Sequence, residues 1–176
     1  GRRVGWGWAG ARGDGQVNLI FNTAGVARGG NGESMKYEDF EWLMNISFWG
    51  VVHGTKAFLP HLKKSGDGHV TNTSSVFGLA GIPTQSAYNA AKFAVRGFTE
   101  SLRHELHGTN VKTVCVHPGG IKTNIVASSR HYVDPQGHKD KAAIADRFQR
   151  IDATTADQAA ATNINANEKS SPRVLM

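Results

Sequence analysis

Three residues, Ser75, Tyr88 and Lys92, stand in the frame Ser-x12-Tyr-x3-Lys and have side chains suited to acid–base chemistry. Tyr88 and Lys92 are four residues apart in a segment with helical periodicity, so their side chains are expected on one helix face, one turn apart. A free phenol titrates at about pH 10, and a cation beside it favours the phenolate and lowers the pKa. The spacing therefore predicts that Tyr88 acts as an acid–base group at neutral pH.

Ser75 closes the run HVTNTSS, which predicts a buried strand. Its hydroxyl is then expected at the carboxyl end of that strand, where open parallel sheets bind their ligands. Each piece alone is weak, because Tyr-x3-Lys is common on solvated helix faces and an isolated serine is most often a turn residue. Two further motifs strengthen the prediction of a site at this edge: NTAGV at 22–26 and HPGGIKTN at 117–124 each follow an apolar run.

These three motifs, in this order, resemble those of the short-chain dehydrogenase/reductase family, continuously over residues 17–124 and more weakly to 176. The resemblance implies reversible alcohol–carbonyl oxidoreduction of a small-molecule alcohol or ketone with NAD or NADP. By resemblance, Tyr88 would transfer the proton at the substrate oxygen, Ser75 would orient that oxygen, and Lys92 would hold the nicotinamide ribose hydroxyls. The family also implies cofactor contacts for Tyr88 and for Asn22, Ala24, Gly25, Pro118, Gly119, Ile121 and Thr123.

The composition is that of one globular domain, with 176 residues, 39% hydrophobic and 19% charged. No segment approaches the apolar length of a membrane span, so no membrane partner is expected. The net charge of +6 comes from scattered lysines and arginines, which argues against a nucleic-acid partner. The single cysteine, Cys115, excludes an intrachain disulfide and favours a reducing, cytoplasmic compartment. His104 and His107 lack further ligands, so no metal site is expected.

Apolar periodicity predicts an α/β fold, a Rossmann-like parallel sheet with flanking helices, because strands and helices alternate along the chain. Pro60 is expected to kink the last turns of the first long helix, and Gly108 to cap the second. The capping-box pattern of Thr155 and Gln158 predicts the start of another helix. Strands are predicted over 17–22, 69–73, 111–117 and 173–176, and the other helices over 37–64, 85–107 and 138–151.

The sequence ahead of the first predicted strand departs from the family pattern. A complete family member opens with a strand, a glycine-rich phosphate-binding turn and two more strands, so this chain is interpreted as N-terminally truncated and lacking the first three strands. The residue that selects NAD or NADP belongs to that part, and the choice between them stays open. Residues 5–10 satisfy G-x-G-x-x-G, but no apolar strand precedes them and two tryptophans crowd the turn, so phosphate binding is not expected.

Residues 1–16 are expected to form a flexible leader, and residues 17–176 a partial NAD(P)-binding domain that carries the catalytic half. Without the missing strands, the first predicted strand would have a bare apolar edge, which invites pairing or aggregation. A second interpretation is that the leader adds itself to this edge, because Val4, Trp6 and Trp8 alternate as strand residues do.

Two positions near the predicted site differ from the family. Ser47, a further candidate catalytic residue, stands where the family has an asparagine whose main chain holds a proton-relaying water. Its backbone could still hold that water, but loss of a helix kink that the asparagine stabilises is expected. Thr23 replaces the second asparagine of the family's NNAG motif. Two functions therefore remain open, an oxidoreductase or a non-catalytic remnant with a scaffold or assembly role.

The resemblance also implies a homo-oligomer, because in the family the two long helices build dimer and tetramer contacts. The apolar positions of the helix over 85–107 are otherwise interpreted as core. The segment 127–152, which would shape the substrate pocket, contains no readable motif, so the sequence does not predict a particular substrate.

Overall fold

The centre of the fold is a five-stranded sheet with the strand order β1-β2-β3-β4-β5. The computed structural model describes residues 9–11, 16–130, 140, 142–143, 146, 154–169 and 171–176. The strands are β1 Ala9–Ala11, β2 Val17–Asn22, β3 Gly68–Thr73, β4 Val111–His117 and β5 Arg173–Leu175. The helices are α1 Tyr37–Met44, α2 Gly50–Lys64, α3 Ser86–Glu105 and α4 Ala156–Glu168. Strands β2 to β5 are parallel, which confirms the predicted Rossmann-like sheet with flanking helices.

The strands are buried because helices cover both faces of the sheet. Val70 of β3 is fully buried and packs with Leu62 of α2 and Leu102 of α3. Its neighbour Thr71 points to the opposite face, since successive strand residues alternate, and donates a hydrogen bond to Asn167 of α4 at 2.8 Å. Helices α2 and α3 therefore lie on one face and α4 on the other, as apolar parallel strands require.

The helix predicted over 37–64 is present in three parts. Helix α1 leads into a π-helical turn, Asn45–Trp49, and α2 continues from that turn. Pro60 lies inside α2, and the helix runs past it to Lys64. A π-helical turn bends a helix and is frequently found at functional sites. Apolar spacing predicted the extent of this region but not the irregular turn within it.

The later elements also agree with the sequence. The second predicted long helix is α3, and Gly108 beyond it has a φ of 80°, a left-handed conformation that glycine commonly supplies after a helix. The predicted capping box is formed, because the side chains of Thr155 and Gln158 each accept a hydrogen bond from the other's backbone N–H. The strand predicted over 173–176 is β5. Of the helix predicted over 138–151, the structure describes residues 140, 142–143 and 146, of which 142, 143 and 146 are helical, and the remaining residues lie outside the described part of the chain.

The outer edge of β2 pairs with β1, which belongs to the segment expected as a leader. The two strands are antiparallel, with Ala9 opposite Ile20 and Ala11 opposite Val17. The prediction of a bare edge on β2 is therefore wrong where β1 pairs with it. The second interpretation, in which the leader adds itself to this edge, agrees with the observed pairing. The residues whose alternation suggested the pairing lie outside the described part of the chain: Val4, Trp6 and Trp8.

Candidate active site

Lys92 is the charged centre of the predicted site and lies on the buried face of α3. The residue is 3% exposed, and its Nζ donates a hydrogen bond to the carbonyl oxygen of Thr73, 3.0 Å away at the end of β3. Burial lowers the pKa of Lys92 from 10.5 to about 8, against an interaction with Cys115 that raises it. The amine is thus held at the carboxyl edge of the sheet, where little water reaches it.

Tyr88 lies one turn before Lys92 on α3 and is half-buried. The Nζ atom of Lys92 is 5.6 Å from the centroid of the Tyr88 ring. The ring of Phe77 also packs against Tyr88, with centroids 6.0 Å apart and an angle of 86° between the ring planes. The structure therefore brings the cation and the phenol ring together, as the one-turn spacing predicted, and adds an aromatic neighbour.

Ser75 lies just beyond β3, at the same edge of the sheet. Its segment is joined to the segment after β4, because the backbone N–H of Val76 donates to the carbonyl oxygen of Pro118 at 2.9 Å. The Ser75 Oγ donates to the same carbonyl oxygen at 3.4 Å and accepts a hydrogen bond from the N–H of Phe77 at 3.2 Å. The hydroxyl is therefore located at the carboxyl ends of two parallel strands, where the sequence predicted it.

The turn after β2 passes beside Lys92 and contains three of the predicted cofactor contacts. Asn22 is tied into the sheet, since its Nδ2 donates to Oδ1 of Asn72 at 2.8 Å. Ala24 is exposed. A Cβ placed on Gly25 would lie 3.4 Å from the Nζ of Lys92. The backbone at Gly25 therefore lies beside the amine, at a distance where an added Cβ would make an ordinary van der Waals contact with it.

The turn after β4 contains the other four predicted contacts, Pro118, Gly119, Ile121 and Thr123. Pro118 accepts the hydrogen bonds from the Ser75 segment, and Gly119 follows it directly. Ile121 forms a bridge to Thr154, and Thr123 is exposed. The structure therefore places Pro118 in contact with Ser75. The backbone of Ile121 instead pairs with Thr154, in a later part of the chain.

Ser47 lies in the π-helical turn between α1 and α2 and is fully buried. Its hydroxyl accepts a hydrogen bond from the N–H of Val26 at 3.2 Å and donates to the carbonyl oxygen of the same residue at 3.5 Å. Serine therefore holds the backbone next to Gly25. The expectation that the helix irregularity is lost together with the asparagine is wrong, because the turn is π-helical with serine in that position.

His117 is a residue of this edge that the sequence pattern did not identify. It is the last residue of β4 and fully buried, and its Nδ1 lies 3.0 Å from the carbonyl oxygen of Ser75. Burial lowers the pKa of His117, although the hydrogen bond with Ser75 opposes that shift. A neutral imidazole can donate its Nδ1–H to this carbonyl and so hold the Ser75 backbone. The available signal was a polar residue ending an apolar strand directly before a turn.

The polar residues outside this edge do not form a metal-binding cluster in the described part of the chain. Across the described residues, no group of three or more histidine, cysteine, aspartate or glutamate side chains could hold a metal ion. His104 and His107 are exposed near the end of α3. Cys115 is buried, and burial raises its pKa to about 11, so its sulfur remains a thiol at neutral pH. No helix in the described part of the chain is both long and apolar enough to cross a membrane.

Known protein sequences are similar to the part of this chain that contains the candidate site. The family model for short chain dehydrogenase matches residues 9–134. SadH of Mycobacterium tuberculosis, named as an oxidoreductase, is 48% identical over 164 residues, which are 92% of this chain and 58% of SadH. The 3-ketodihydrosphingosine reductase of Bacteroides thetaiotaomicron is 37% identical over 136 residues, which are 77% of this chain and 49% of that protein. The chain thus spans about half the length of these relatives.

A solved structure has the same arrangement of strands and helices. A short-chain dehydrogenase/reductase from Burkholderia phymatum, in complex with NAD, superposes with a TM-score of 0.79 at 29% identity. The match covers 92% of this chain and 61% of that protein. The similarity therefore extends over the sheet and the helices that position Ser75, Tyr88 and Lys92.

Proposed function

We propose a function from the premise that this chain belongs to the short-chain dehydrogenase family. The proposed reaction interconverts an alcohol and a carbonyl by hydride transfer with NAD or NADP. The observation that carries the proposal is the buried Lys92, which is held by Thr73 and lies 5.6 Å from the Tyr88 ring. Residues 17–176 would then form a partial NAD(P)-binding domain that carries the catalytic half of the site.

Tyr88 is proposed to give or take the proton at the substrate oxygen. Because its pKa is about 8, Lys92 is still mainly cationic at neutral pH. A positive charge beside the phenol favours the phenolate, which supports proton exchange in that pH range. The environment of the lysine therefore suits the task assigned to the tyrosine.

Ser75 is proposed to donate a hydrogen bond to the substrate oxygen and so orient it. Its present hydrogen bond to the carbonyl oxygen of Pro118 is 3.4 Å long, which exceeds the roughly 2.5–3.0 Å of an ordinary O–H···O bond and makes the interaction weak. A substrate oxygen can replace this acceptor without breaking a strong interaction. The 3.2 Å bond from the N–H of Phe77 keeps the Ser75 hydroxyl in place during the exchange.

The surroundings of Lys92 fit a nicotinamide ribose. An ammonium has three N–H donors, and the carbonyl of Thr73 accepts one, so the group can also donate to ribose hydroxyls. Ala24 is exposed and Gly25 has no side chain, which leaves room beside the amine. When bound, NAD or NADP supplies or accepts the hydride. The further cofactor contacts proposed from the family motifs are Asn22, Pro118, Gly119, Ile121 and Thr123.

The proton path to Lys92 is proposed to pass the main chain of the π-helical turn at Ser47. The hydroxyl of Ser47 is bonded to Val26 on both its donor and its acceptor side, so it is not the relaying group. A π-helical turn interrupts the regular hydrogen-bond ladder, and a carbonyl released in this way can bind a water molecule. The serine would then support the relay by holding the turn rather than by moving a proton.

The proposed substrate class is a small-molecule alcohol or ketone. One relative, 3-ketodihydrosphingosine reductase, is named for the reduction of a ketone, and the family chemistry is proposed for this chain on that basis. A reducing compartment such as the cytoplasm is proposed because the single cysteine, Cys115, is buried and has no second cysteine to pair with.

The proposal is tested by titrating purified, monodisperse protein with NADH and NADPH and following nicotinamide fluorescence. The variants are Lys92→Ala and, as a matched control, Lys112→Ala, which removes an exposed lysine from β4. Saturable binding by the wild type and Lys112→Ala that is lost in Lys92→Ala supports the proposal. Absence of binding by folded wild-type protein supports the alternative, a non-catalytic family member with a scaffold or assembly role.

A further inference from the structure

The side chain of Asn89 organises the loop between Ser75 and α3. Its Nδ2 donates hydrogen bonds to the carbonyl oxygens of Phe77 at 2.6 Å and Ala80 at 2.8 Å. Its Oδ1 accepts a hydrogen bond from the N–H of Ile82 at 3.1 Å. Both N–H donors and the oxygen of this amide are therefore used on one loop. The reversed amide would direct its oxygen at two carbonyl oxygens, so the partners determine its orientation.

The same loop is pressed against α3 by a second set of contacts. Ser74 Oγ donates a hydrogen bond to the backbone carbonyl of Lys92 at 2.8 Å. A Cβ on Gly78 would overlap Ser74 Oγ and lie 2.8 Å from that carbonyl oxygen, so the position accepts only glycine. The loop therefore cannot move closer to the helix at Gly78, and the hydrogen bonds of Asn89 keep it from moving away.

The residue held in this way, Phe77, is the aromatic neighbour of Tyr88. Their rings form an edge-to-face pair with centroids 6.0 Å apart, an arrangement that aromatic quadrupoles favour. Asn89 is 8% exposed and directly follows Tyr88 in the chain. It therefore connects the backbone of Phe77 to the helix that carries the phenol. The Tyr88 ring contacts an amine on its own helix and an aromatic ring whose backbone Asn89 holds.

We infer that Asn89 is a positioning residue for Tyr88: it keeps the Phe77 ring against the phenol and so holds the phenol in one orientation toward the substrate oxygen. The inference rests on the proposed acid–base role of Tyr88. It adds a residue that does not contact the reacting atoms and acts through Phe77. A purely structural Asn89 would stabilise the fold but would not determine the contact between the two rings.

The most discriminating variant is Asn89→Asp. It keeps the size of the side chain and the acceptor for Ile82, and it removes both donors to the carbonyl oxygens of Phe77 and Ala80. In protein labelled at tyrosine and phenylalanine, the nuclear Overhauser contact between the Phe77 and Tyr88 rings reports their packing directly. Tyr88→Phe and Phe77→Leu variants assign the resonances. The expected result is loss of the ring contact and a shifted Tyr88 ring resonance in Asn89→Asp.

Asn167→Ala is the matched control, because Asn167 is 5% exposed and bonded to Thr71 and Asn163 on the far face of the sheet. It is expected to lower stability and leave the ring contact unchanged. If Asn89→Asp does not fold, Asn89→Ser, which keeps one donor, is expected to weaken the contact. An unchanged ring contact in the folded Asn89 variant overturns the inference.

The kinetic consequence is measured where turnover is detectable. Asn89→Asp is expected to lower kcat on the order of tenfold to a hundredfold with little change in KM, because a misplaced acid–base group affects the transition state more than binding. An equal effect of Asn89→Asp and Asn167→Ala on kcat would contradict the positioning role. The ring contact needs neither cofactor nor substrate, so its loss supports the positioning geometry even if the cofactor titration fails and the proposed function is wrong.

Discussion

At the scale of residues, burial changes the chemistry of ordinary side chains. Most lysines on amphipathic helices are solvated, yet Lys92 is almost fully buried and its pKa is about 8. His117 is fully buried as well, and burial lowers its pKa. In both residues the charged form is disfavoured because the strands and helices around it exclude water. The pH behaviour of the protein should therefore depend strongly on these two groups.

Lys92 is expected to make folding stability rise with pH. Its folded-state pKa of about 8 lies below the unperturbed value of 10.5, so between these values the unfolded chain binds a proton that the folded chain does not. Linkage then raises the free energy of unfolding across this window by about 3 kcal/mol. Urea unfolding from about pH 7 to about pH 10 should show the rise in wild type relative to Lys92→Met. Parallel pH profiles of the two proteins would contradict it.

Tyr88→Phe removes only the phenolic oxygen and leaves the ring against Phe77. Loss of a positioned acid–base group is expected to reduce kcat/KM by at least about 100-fold. Cofactor affinity should change little, because Lys92 remains in place. Tyr37→Phe is the control, since Tyr37 is 86% exposed. Turnover is measured by nicotinamide absorbance with a series of small ketones and alcohols, and a fully active Tyr88→Phe variant would rule out the mechanism.

At the scale of elements, the site forms where parallel strands end and one helix is irregular. Strands β3 and β4 place Ser75 and Pro118 at a common edge, because parallel strands have their carboxyl ends on the same side of the sheet. Helix α3 adds Tyr88 and Lys92. The π-helical turn at Ser47 holds the backbone after β2. The geometry of the site therefore depends on the helix irregularity as well as on the sheet.

Ser47→Ala is expected to weaken the packing of the π-helical turn against the turn after β2. The change leaves the N–H of Val26 without its hydroxyl partner, and an unpaired buried donor costs about 1–3 kcal/mol. Ser34→Ala, at an exposed serine, should change stability by less than about 0.5 kcal/mol. Urea unfolding measures both variants. Equal stability of Ser47→Ala and wild type would show that the hydroxyl does not hold the turn.

At the scale of the whole molecule, two surfaces suggest contacts beyond the core. Trp49 and Phe93 are 46% and 41% exposed, on the long helical region around the π-helical turn and on α3. Exposed aromatic side chains on helices are typical of interfaces. At the β2 edge of the sheet, the described residues of β1 pair with β2 between Val17 and Ile20. Self-association through the exposed aromatic residues and protection of the β2 edge by β1 are therefore separate properties, and each can be tested independently.

We propose that a homo-oligomer forms through the helical regions that carry these exposed aromatic side chains. Trp49→Glu combined with Phe93→Glu is expected to shift the protein toward the monomer, because two buried charges without partners would oppose association. Tyr37→Glu changes an aromatic residue at the start of α1 that is more exposed than either, at 86%, and serves as the control. Sedimentation velocity measures the masses. The same mass for the double variant and wild type would argue against this interface.

Deletion of residues 1–12 removes β1 and is expected to speed hydrogen–deuterium exchange in β2. The reason is that β1 pairs with one edge of β2, so its removal exposes backbone N–H groups of that edge to water. Strand β4 provides the internal control, since its neighbours in the sheet are β3 and β5 and it pairs with neither β1 nor β2. Unchanged exchange over Val17–Asn22 after the deletion would contradict the pairing.

By itself the sequence determined the local structure and the spacing of the candidate site. The strands Val17–Asn22 and Val111–His117 were predicted with the bounds that the structure has, because buried strands are short apolar runs between turn residues. The one-turn separation of Tyr88 and Lys92 follows from helix geometry alone. Such features depend on residues close together in the chain, so the sequence encodes them directly.

Only the tertiary structure decided how far Lys92 is buried, that the turn at Ser47 is π-helical, and which residues support the site. The hydrogen bond between His117 and Ser75 spans 42 positions, and the bond from Asn89 to Phe77 spans 12. Residues so far apart in the sequence come into contact only when strands and helices pack, so no local spacing in the sequence predicts these hydrogen bonds. Exclusion of water, which lowers the pKa of Lys92, is likewise a property of the packed sheet and helices together.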